Sequence, residues 1–220
     1  MDVKKFKQLY AYEFPNELLT QIQNLTYQTN DYILRTGDEI DGLYFLMEGK
    51  YYVSSLEITG KELLLRYSKR SGILGDIEIL EQCAIQSNCI AAERCEFIYV
   101  PLAVYEKYLK HDMAFTQILL KELAYKLKTC TTSSRVNALS PVSVRLAAYY
   151  CTIASPESNS DYITSSKLDE VASLIGTTKR HLNRILKQWS EEGSIHRDGD
   201  HIQILNWKRI KQYSNNVRFE

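Results

Sequence analysis

Seven positions between residues 113 and 134 recur at alternating steps of three and four along the chain. They are Met113, Thr116, Leu120, Leu123, Leu127, Cys130 and Ser134. This heptad spacing is typical of a helix that packs against a second helix along one stripe. We call the first six positions the seam and expect them to form the interface of a homodimer. The alternative is a single helix packed into the core of one chain.

The same segment is also apolar beside the seam, at Phe115, Ile118, Leu119 and Ala124. A helix with two apolar faces needs two separate surfaces to cover it. We expect a second copy of the chain to cover the seam and the preceding domain to cover the other face.

That preceding region, residues 32–101, predicts short strands separated by turns that contain glycine and acidic residues. The expected strands cover 32–34, 43–47, 51–58, 62–67, 73–74, 77–80 and 97–100. Many short strands of this kind are typical of a small sandwich or barrel. We therefore expect an α+β protein with a β-rich domain over 1–111 and a long helix over 112–137.

The remaining residues, 138–220, return to a helical pattern. Ser140 and Pro141 are a typical helix start, an N-cap followed by proline at the first helical position. One face of this helix is marked by Val142, Leu146, Tyr149 and Ile153. We expect a separate C-terminal domain to begin here.

Two short helices joined by a tight turn follow within that domain. Ser166 and Asp169 fit a capping box at the start of the first helix, and Gly176 suits its left-handed C-terminal cap. The inward residues are Leu168, Val171, Ala172 and Ile175 in the first helix and Leu182, Ile185, Leu186 and Trp189 in the second. This arrangement predicts a helix-turn-helix.

The second helix has four cations and no acid on its outer side. Together with the predicted cap, this side comprises Thr178, Lys179, Arg180, Asn183, Arg184 and Lys187. A helix fits the major groove of B-DNA, where arginine and lysine donate to guanine edges and phosphates. We expect these residues to bind double-stranded DNA. The alternative is a solvated charged face, although surface helices usually mix both signs of charge.

A hairpin is predicted directly after this helix, because Asp198 and Gly199 stand between alternating apolar residues. A hairpin at this place is the wing of a winged helix. Arg197 lies beside the turn, where it is expected to reach a DNA phosphate.

A β-rich domain, a long helix and a winged helix-turn-helix in 220 residues resemble the cAMP receptor protein/FNR (Crp/Fnr) family of bacterial transcription regulators. Residues 75–80 resemble the family's phosphate-binding cassette, and residues 168–189 resemble its DNA-reading element. The cassette and residues 144–148 and 180–182 resemble the corresponding segments of the family's YeiL-like branch.

The resemblance implies a cyclic-nucleotide-binding-like β-roll (jelly roll), a long dimerisation helix and a C-terminal winged helix-turn-helix. It also implies a homodimer that binds an inverted-repeat operator, with RNA polymerase as a further partner. We expect the protein to be cytoplasmic because the sequence shows neither a membrane span nor a signal peptide. Matched to the family, Lys179, Arg180 and Arg184 fall at base-reading positions, and Arg180 replaces a glutamate.

The resemblance places an effector pocket at Gly75, Asp76, Gln86 and Ser87. Members that bind cAMP have Gly-Glu at the first pair and Arg-Ser or Arg-Ala at the second. The uncharged Gln86 would leave a buried phosphate largely unpaired, which is costly, and Arg94 is the nearest candidate to replace the missing arginine. We therefore expect no cAMP, and either an unknown small-molecule effector or none.

Composition argues against several other classes of protein. The 27 basic and 27 acidic residues balance, no apolar run reaches the roughly 18 residues of a membrane span, and residues 1–6 contain no signal-peptide block. The five cysteines are odd in number, which favours buried thiols over disulfides. None of them precedes Cys83, whereas the family's iron–sulfur members need a cysteine cluster near the N-terminus.

No catalytic or metal-binding constellation emerges from the sequence. His111 lies beyond the strands without a cluster of histidines and carboxylates, and neither serine nor cysteine shows a nucleophile-elbow motif. We expect neither an enzyme nor a metal site. The alternative function is a small-molecule or cyclic-nucleotide-binding module without gene-regulatory action.

Overall fold

The computed structural model describes residues 2–56, 62–68, 72–153, 162–164, 168–199 and 201–215. The chain divides into two units, one made of 1–56 with 68–128 and the other of 57–67 with 129–220. Each unit is described by itself below.

Strands dominate the first part of the chain. The elements are α1 (Val3–Tyr10), β1 (Gln23–Tyr27), β2 (Tyr32–Leu34), β3 (Gly42–Glu48), β4 (Tyr51–Leu56), β5 (Glu62–Ser68), β6 (Ile73–Leu74), α2 (Asp76–Glu81), β7 (Asn88–Ala91), β8 (Cys95–Pro101), α3 (Leu102–Val104) and α4 (Met113–Leu139). One antiparallel sheet has the order β1-β8-β3-β6, and in another β7 lies between β2 and β4. The predicted β-rich N-terminal domain is confirmed.

One predicted strand is wrong. Residues 77–80 belong to helix α2, in which Ile79 is buried while Ile77 and Leu80 are exposed. A short apolar run fits both the two-residue period of a strand and the 3.6-residue period of a helix, and here Gly75 favours the helix. Its φ of +86° places a left-handed residue at the helix N-cap, where the chain turns out of β6. Predicted strand residues 57 and 58 lie outside the described part of the chain.

The core of the first unit is aromatic where helices meet the sheet. Phe6 is fully buried, and its ring centroid lies 4.7 Å from that of Phe14 and 5.2 Å from that of Phe45. Tyr10 donates its hydroxyl to the carbonyls of Leu46 and Gly72, at 2.8 and 3.0 Å. A buried tyrosine can be accommodated in this way because its polar end finds partners.

Helix α4 begins at a strong cap. Asp112 accepts from the backbone N–H groups of Ala114 and Phe115, at 2.8 and 3.1 Å, and from the Tyr12 hydroxyl at 2.6 Å. The hydrogen bond from Tyr12, assisted by these backbone donors, lowers the pKa of Asp112. The carboxylate therefore stays ionised, which is the form that caps a helix N-terminus best.

The first unit covers one face of α4 at three of the four predicted positions, whereas Ala124, further along the helix, is exposed. Phe115, Ile118 and Leu119 are buried in the same cluster as Phe14 and Phe45. The predicted helix of 112–137 differs from the observed Met113–Leu139 by one residue at its start and two at its end.

The second unit contains the predicted winged helix-turn-helix. Its elements after α4 are α5 (Val142–Ile153), β9 (Tyr162–Thr164), α6 (Leu168–Leu174), α7 (Lys179–Glu191), β10 (Ile195–Asp198), β11 (His201–Ile204) and α8 (Trp207–Tyr213). The three strands form an antiparallel sheet in the order β10-β11-β9. The hairpin is confirmed, with Gly199 at φ +55° in its turn.

The turn between α6 and α7 is held from two sides. Gly176 has a φ of +63°, as its predicted role as a left-handed cap requires. The Arg145 guanidinium donates to the carbonyls of Ile175 and Gly176, and Asn137 donates its side-chain amide to that of Leu174 at 3.0 Å. Ser166 of the predicted capping box lies outside the described residues.

Candidate nucleic-acid interface

Helix α7 is held in place by an apolar inner face. Leu182, Ile185, Leu186 and Trp189 are all buried, as the spacing predicts. The Trp189 ring stacks on that of Tyr213 from α8, with centroids 5.3 Å apart and planes within 4° of parallel. Because the inner face is locked, the opposite side of α7 is held outward.

The start of α7 is capped as predicted. The Thr178 hydroxyl accepts from the His181 backbone N–H at 3.3 Å. Lys179, the first residue of the helix, extends back towards α6 and forms an ion pair with Asp169 at 2.8 Å. Both partners are at least half exposed, so the ion pair contributes little to stability.

Three further cations lie on the exposed side of α7. Lys187 is loosely paired with Glu191, at 3.8 Å. The Arg184 guanidinium lies 2.9 Å from the His181 ring nitrogen Nε2, within hydrogen-bond distance. Within the described residues, Arg180 is exposed and forms neither a hydrogen bond nor an ion pair.

A side-chain hydrogen bond joins the wing to α7. Arg197 of β10 donates to the Asn183 side-chain oxygen at 2.8 Å and to the Gly199 carbonyl at 3.3 Å. Asn183 and Arg197 are both half-buried. The structure therefore joins two predicted DNA-binding residues to each other, and their contact sets the position of the wing beside α7.

A cleft of about 820 Å³ adjoins the outer side of α7. One wall comes from the start of α5, including Val142, Ser143 and Arg145. The facing wall includes Arg184 and Lys187. The same wall also carries the Glu191 carboxylate, so the lining of the cleft is of mixed charge.

The predicted effector residues do not form a cationic pocket. Gly75 and Asp76 lie where β6 turns into α2, and Asp76 is 1% exposed. Gln86 is exposed and donates to the Cys83 sulfur at 3.3 Å, while Ser87 is half-buried. Arg94, the candidate to replace the missing arginine, forms an exposed ion pair with Glu96 at 2.7 Å.

A cation that sequence reasoning missed reaches Asp76 instead. Lys126 of α4 places its ammonium nitrogen 2.5 Å from Asp76 Oδ1. The two residues are 50 positions apart, and no spacing rule connects them. The contacts of Asp169 with Lys179 and of His181 with Arg184 were not predicted either. Pairs of side chains on a surface leave no pattern in the sequence.

The seam is exposed in the single chain. Met113, Leu120 and Leu127 are 72, 58 and 70% exposed, Cys130 is exposed, and Thr116 and Leu123 are half-buried. Large apolar side chains seldom form such a stripe on a surface that stays in water. The cysteines are all free thiols, three of them buried as predicted, while Cys83 is half-buried and Cys130 is exposed.

The described residues contain neither a membrane-spanning helix nor a cluster of metal ligands. No helix there is long and apolar enough to cross a bilayer. No group of three or more histidine, cysteine, aspartate or glutamate side chains in the same residues is placed to hold a metal ion.

Known proteins match both units. Residues 24–112 match the cyclic nucleotide-binding domain, and residues 144–213 match the Crp-like helix-turn-helix domain. Regulatory protein YeiL of Escherichia coli O157:H7 is 24% identical over 180 residues, which cover 82% of this chain and 80% of YeiL. The cAMP-activated global transcriptional regulator CRP of Haemophilus influenzae is 20% identical over 191 residues, which cover 84 and 85% of the two chains.

Solved structures share the fold of this chain. A transcriptional regulator of the CRP/FNR family from Thermus thermophilus superimposes with a TM-score of 0.73 at 20% identity, covering 88% of this chain and 98% of that one. A β-roll, a long helix and a winged helix with an outward basic face define a DNA-binding transcription regulator. The chain belongs to the Crp/Fnr family, and its similarity to YeiL agrees with the resemblance to that branch.

Proposed function

We propose that the protein acts as a cytoplasmic homodimer that binds an inverted-repeat operator with two copies of α7. The observation that carries this proposal is the outer side of α7, where Arg180 and Arg184 stand free of acidic partners within the described residues. A dimer axis along the seam would present two such helices to successive major grooves, about one helical turn apart.

The residues of this face divide into two roles. Arg180 and Arg184 read bases, because an arginine fork matches the O6 and N7 acceptors of guanine. Thr178 and Lys187 hold phosphates. Lys179, which the family resemblance places at a base-reading position, exchanges Asp169 for DNA when it reads a base. Asn183 and Arg197 position the wing, whose turn then approaches the backbone.

Selection from randomised duplex DNA by the full-length chain tests this function. We expect an inverted repeat with guanine at the position of Arg180 in each half-site. Failure to enrich any motif would favour the second candidate function, a small-molecule-binding module without gene-regulatory action. That candidate has in its favour the match of residues 24–112 to the cyclic nucleotide-binding domain.

The protein is expected not to bind cAMP. The only carboxylate of the predicted pocket, Asp76, is already paired with Lys126, and Gln86 brings no charge to a phosphate. Isothermal calorimetry with millimolar cAMP should give no saturable heat. A micromolar dissociation constant would show that another group receives the phosphate.

Partners beyond DNA follow from family membership alone. We propose RNA polymerase as the protein contacted on the operator, and we propose that no resident metal, iron–sulfur cluster or other cofactor is required. The three-part division into 1–111, 112–137 and 138–220 is proposed as sensor, dimerisation helix and DNA-binding domain.

A further inference from the structure

A nearly buried ion pair joins the cassette turn of the first unit to its long helix. Lys126 and Asp76 are 16 and 1% exposed, and the ammonium nitrogen lies 2.5 Å from Asp76 Oδ1. The same nitrogen donates to the Ile73 carbonyl at 2.8 Å. Lys126 thus grips the turn at both ends, once on β6 and once at the first residue of α2.

A second contact, in addition to the ion pair, restrains the backbone of this turn. A Cβ at Gly75 would lie 2.5 Å from the Gly42 carbonyl, so the backbone there is packed directly against β3. The second oxygen of Asp76, Oδ2, is buried and has no hydrogen-bond partner among the described residues. Lys126 therefore compensates the Asp76 carboxylate. Removal of one member of a buried pair leaves the other buried without its partner, which is destabilising.

We infer that Lys126 acts as a built-in substitute for an effector, clamping the cassette turn onto α4 without any small molecule. The clamp acts on the part of α4 that carries Leu120, Leu123 and Leu127, so it holds the seam in one arrangement. Resting on the proposed function, the inference adds that operator binding is constitutive. Lys128, two residues further on, is exposed and provides a matched control.

The test uses four full-length variants: Lys126→Met, Asp76→Leu, the two combined, and Lys128→Met. Each single change in the pair should lower the melting temperature by roughly 5–15 °C. The combined variant should recover at least half of that loss, because it leaves no charge stranded. Lys128→Met should stay within about 2 °C of the wild type.

Two further readouts separate a clamp from a contact that only stabilises the fold. Amide exchange in α2 and in residues 113–128 should accelerate at least tenfold in Lys126→Met and in the combined variant, but not in Lys128→Met. Operator affinity without added ligand should fall at least tenfold in the same two variants. The combined variant is decisive, since it regains stability and still lacks the clamp.

Several results would overturn the inference. One is a combined variant with wild-type exchange and wild-type operator affinity, which would make the pair purely structural. Another is a tenfold gain in wild-type operator affinity on adding a cyclic nucleotide. If the wild type bound no DNA, the proposed function would fail, while the exchange rates of α2 and 113–128 would still decide whether the clamp exists.

Discussion

Replacing Leu120 and Leu127 with lysine is expected to convert the protein from dimer to monomer and to lower its operator affinity about a hundred- to ten-thousandfold. Both leucines are more than half exposed in the single chain, so the change leaves the fold of each unit intact. In the dimer they would bring like charges together along a heptad interface. The loss of affinity follows because one chain then holds only one half-site, without the effective concentration that its partner supplies.

Light scattering and titration of the same operator check both parts of this expectation. Ala114→Lys is the matched control, because it adds a lysine at an exposed position of α4 outside the heptad repeat. The control should remain dimeric and bind normally. A double lysine variant that stayed dimeric would place the interface elsewhere.

Arg180→Ala is expected to weaken binding to the selected operator by about 1–3 kcal/mol per half-site and to relax the choice of one base pair. The guanidinium lies on the exposed side of α7 and has no partner within the described residues, so its removal breaks no contact among them. Selection with the variant should give the wild-type motif degraded at that single position.

Lys187→Ala provides the contrast for that experiment. Lys187 is 78% exposed, two turns further along α7, and is expected to touch phosphate only. Its removal should weaken all sequences alike and reduce the salt dependence by about one unit of slope per chain. If Arg180→Ala behaved in the same way, Arg180 would be a phosphate-binding residue and guanine would not be its target.

Periodicity predicted the parts of this fold in which one side of an element is buried. In α7 the spacing predicted a buried inner face, and Leu182, Ile185, Leu186 and Trp189 are buried. In α4 the heptad spacing predicted a separate face for a partner, and Leu120 and Leu127 are exposed. The left-handed conformation of Gly176 was also predictable, since the turn after α6 needs a left-handed residue and glycine adopts that conformation readily.

Short or irregular elements were less predictable. Strand β1 was missed because its sequence, Gln-Asn-Leu-Thr-Tyr, alternates too weakly, and it is defined by pairing with β8. Residues 77–80 were assigned to a strand because four residues cannot distinguish the two periods.

Long-range polar contacts leave no trace in sequence. The ion pair of Lys126 with Asp76 and the tie of Arg197 to Asn183 depend on which side chains the fold brings together. The first contact pairs Asp76, one of the predicted effector residues, with a lysine, and the second joins two expected DNA-binding residues to each other.

The most direct test of the central claim is the stoichiometry of the wild-type chain on its selected duplex. Native mass spectrometry should detect two chains per intact inverted repeat, and the affinity for a duplex with one half-site scrambled should be at least a hundredfold weaker. One chain per duplex, or equal affinity for the intact and scrambled sites, would contradict a dimer that reads DNA through paired copies of α7.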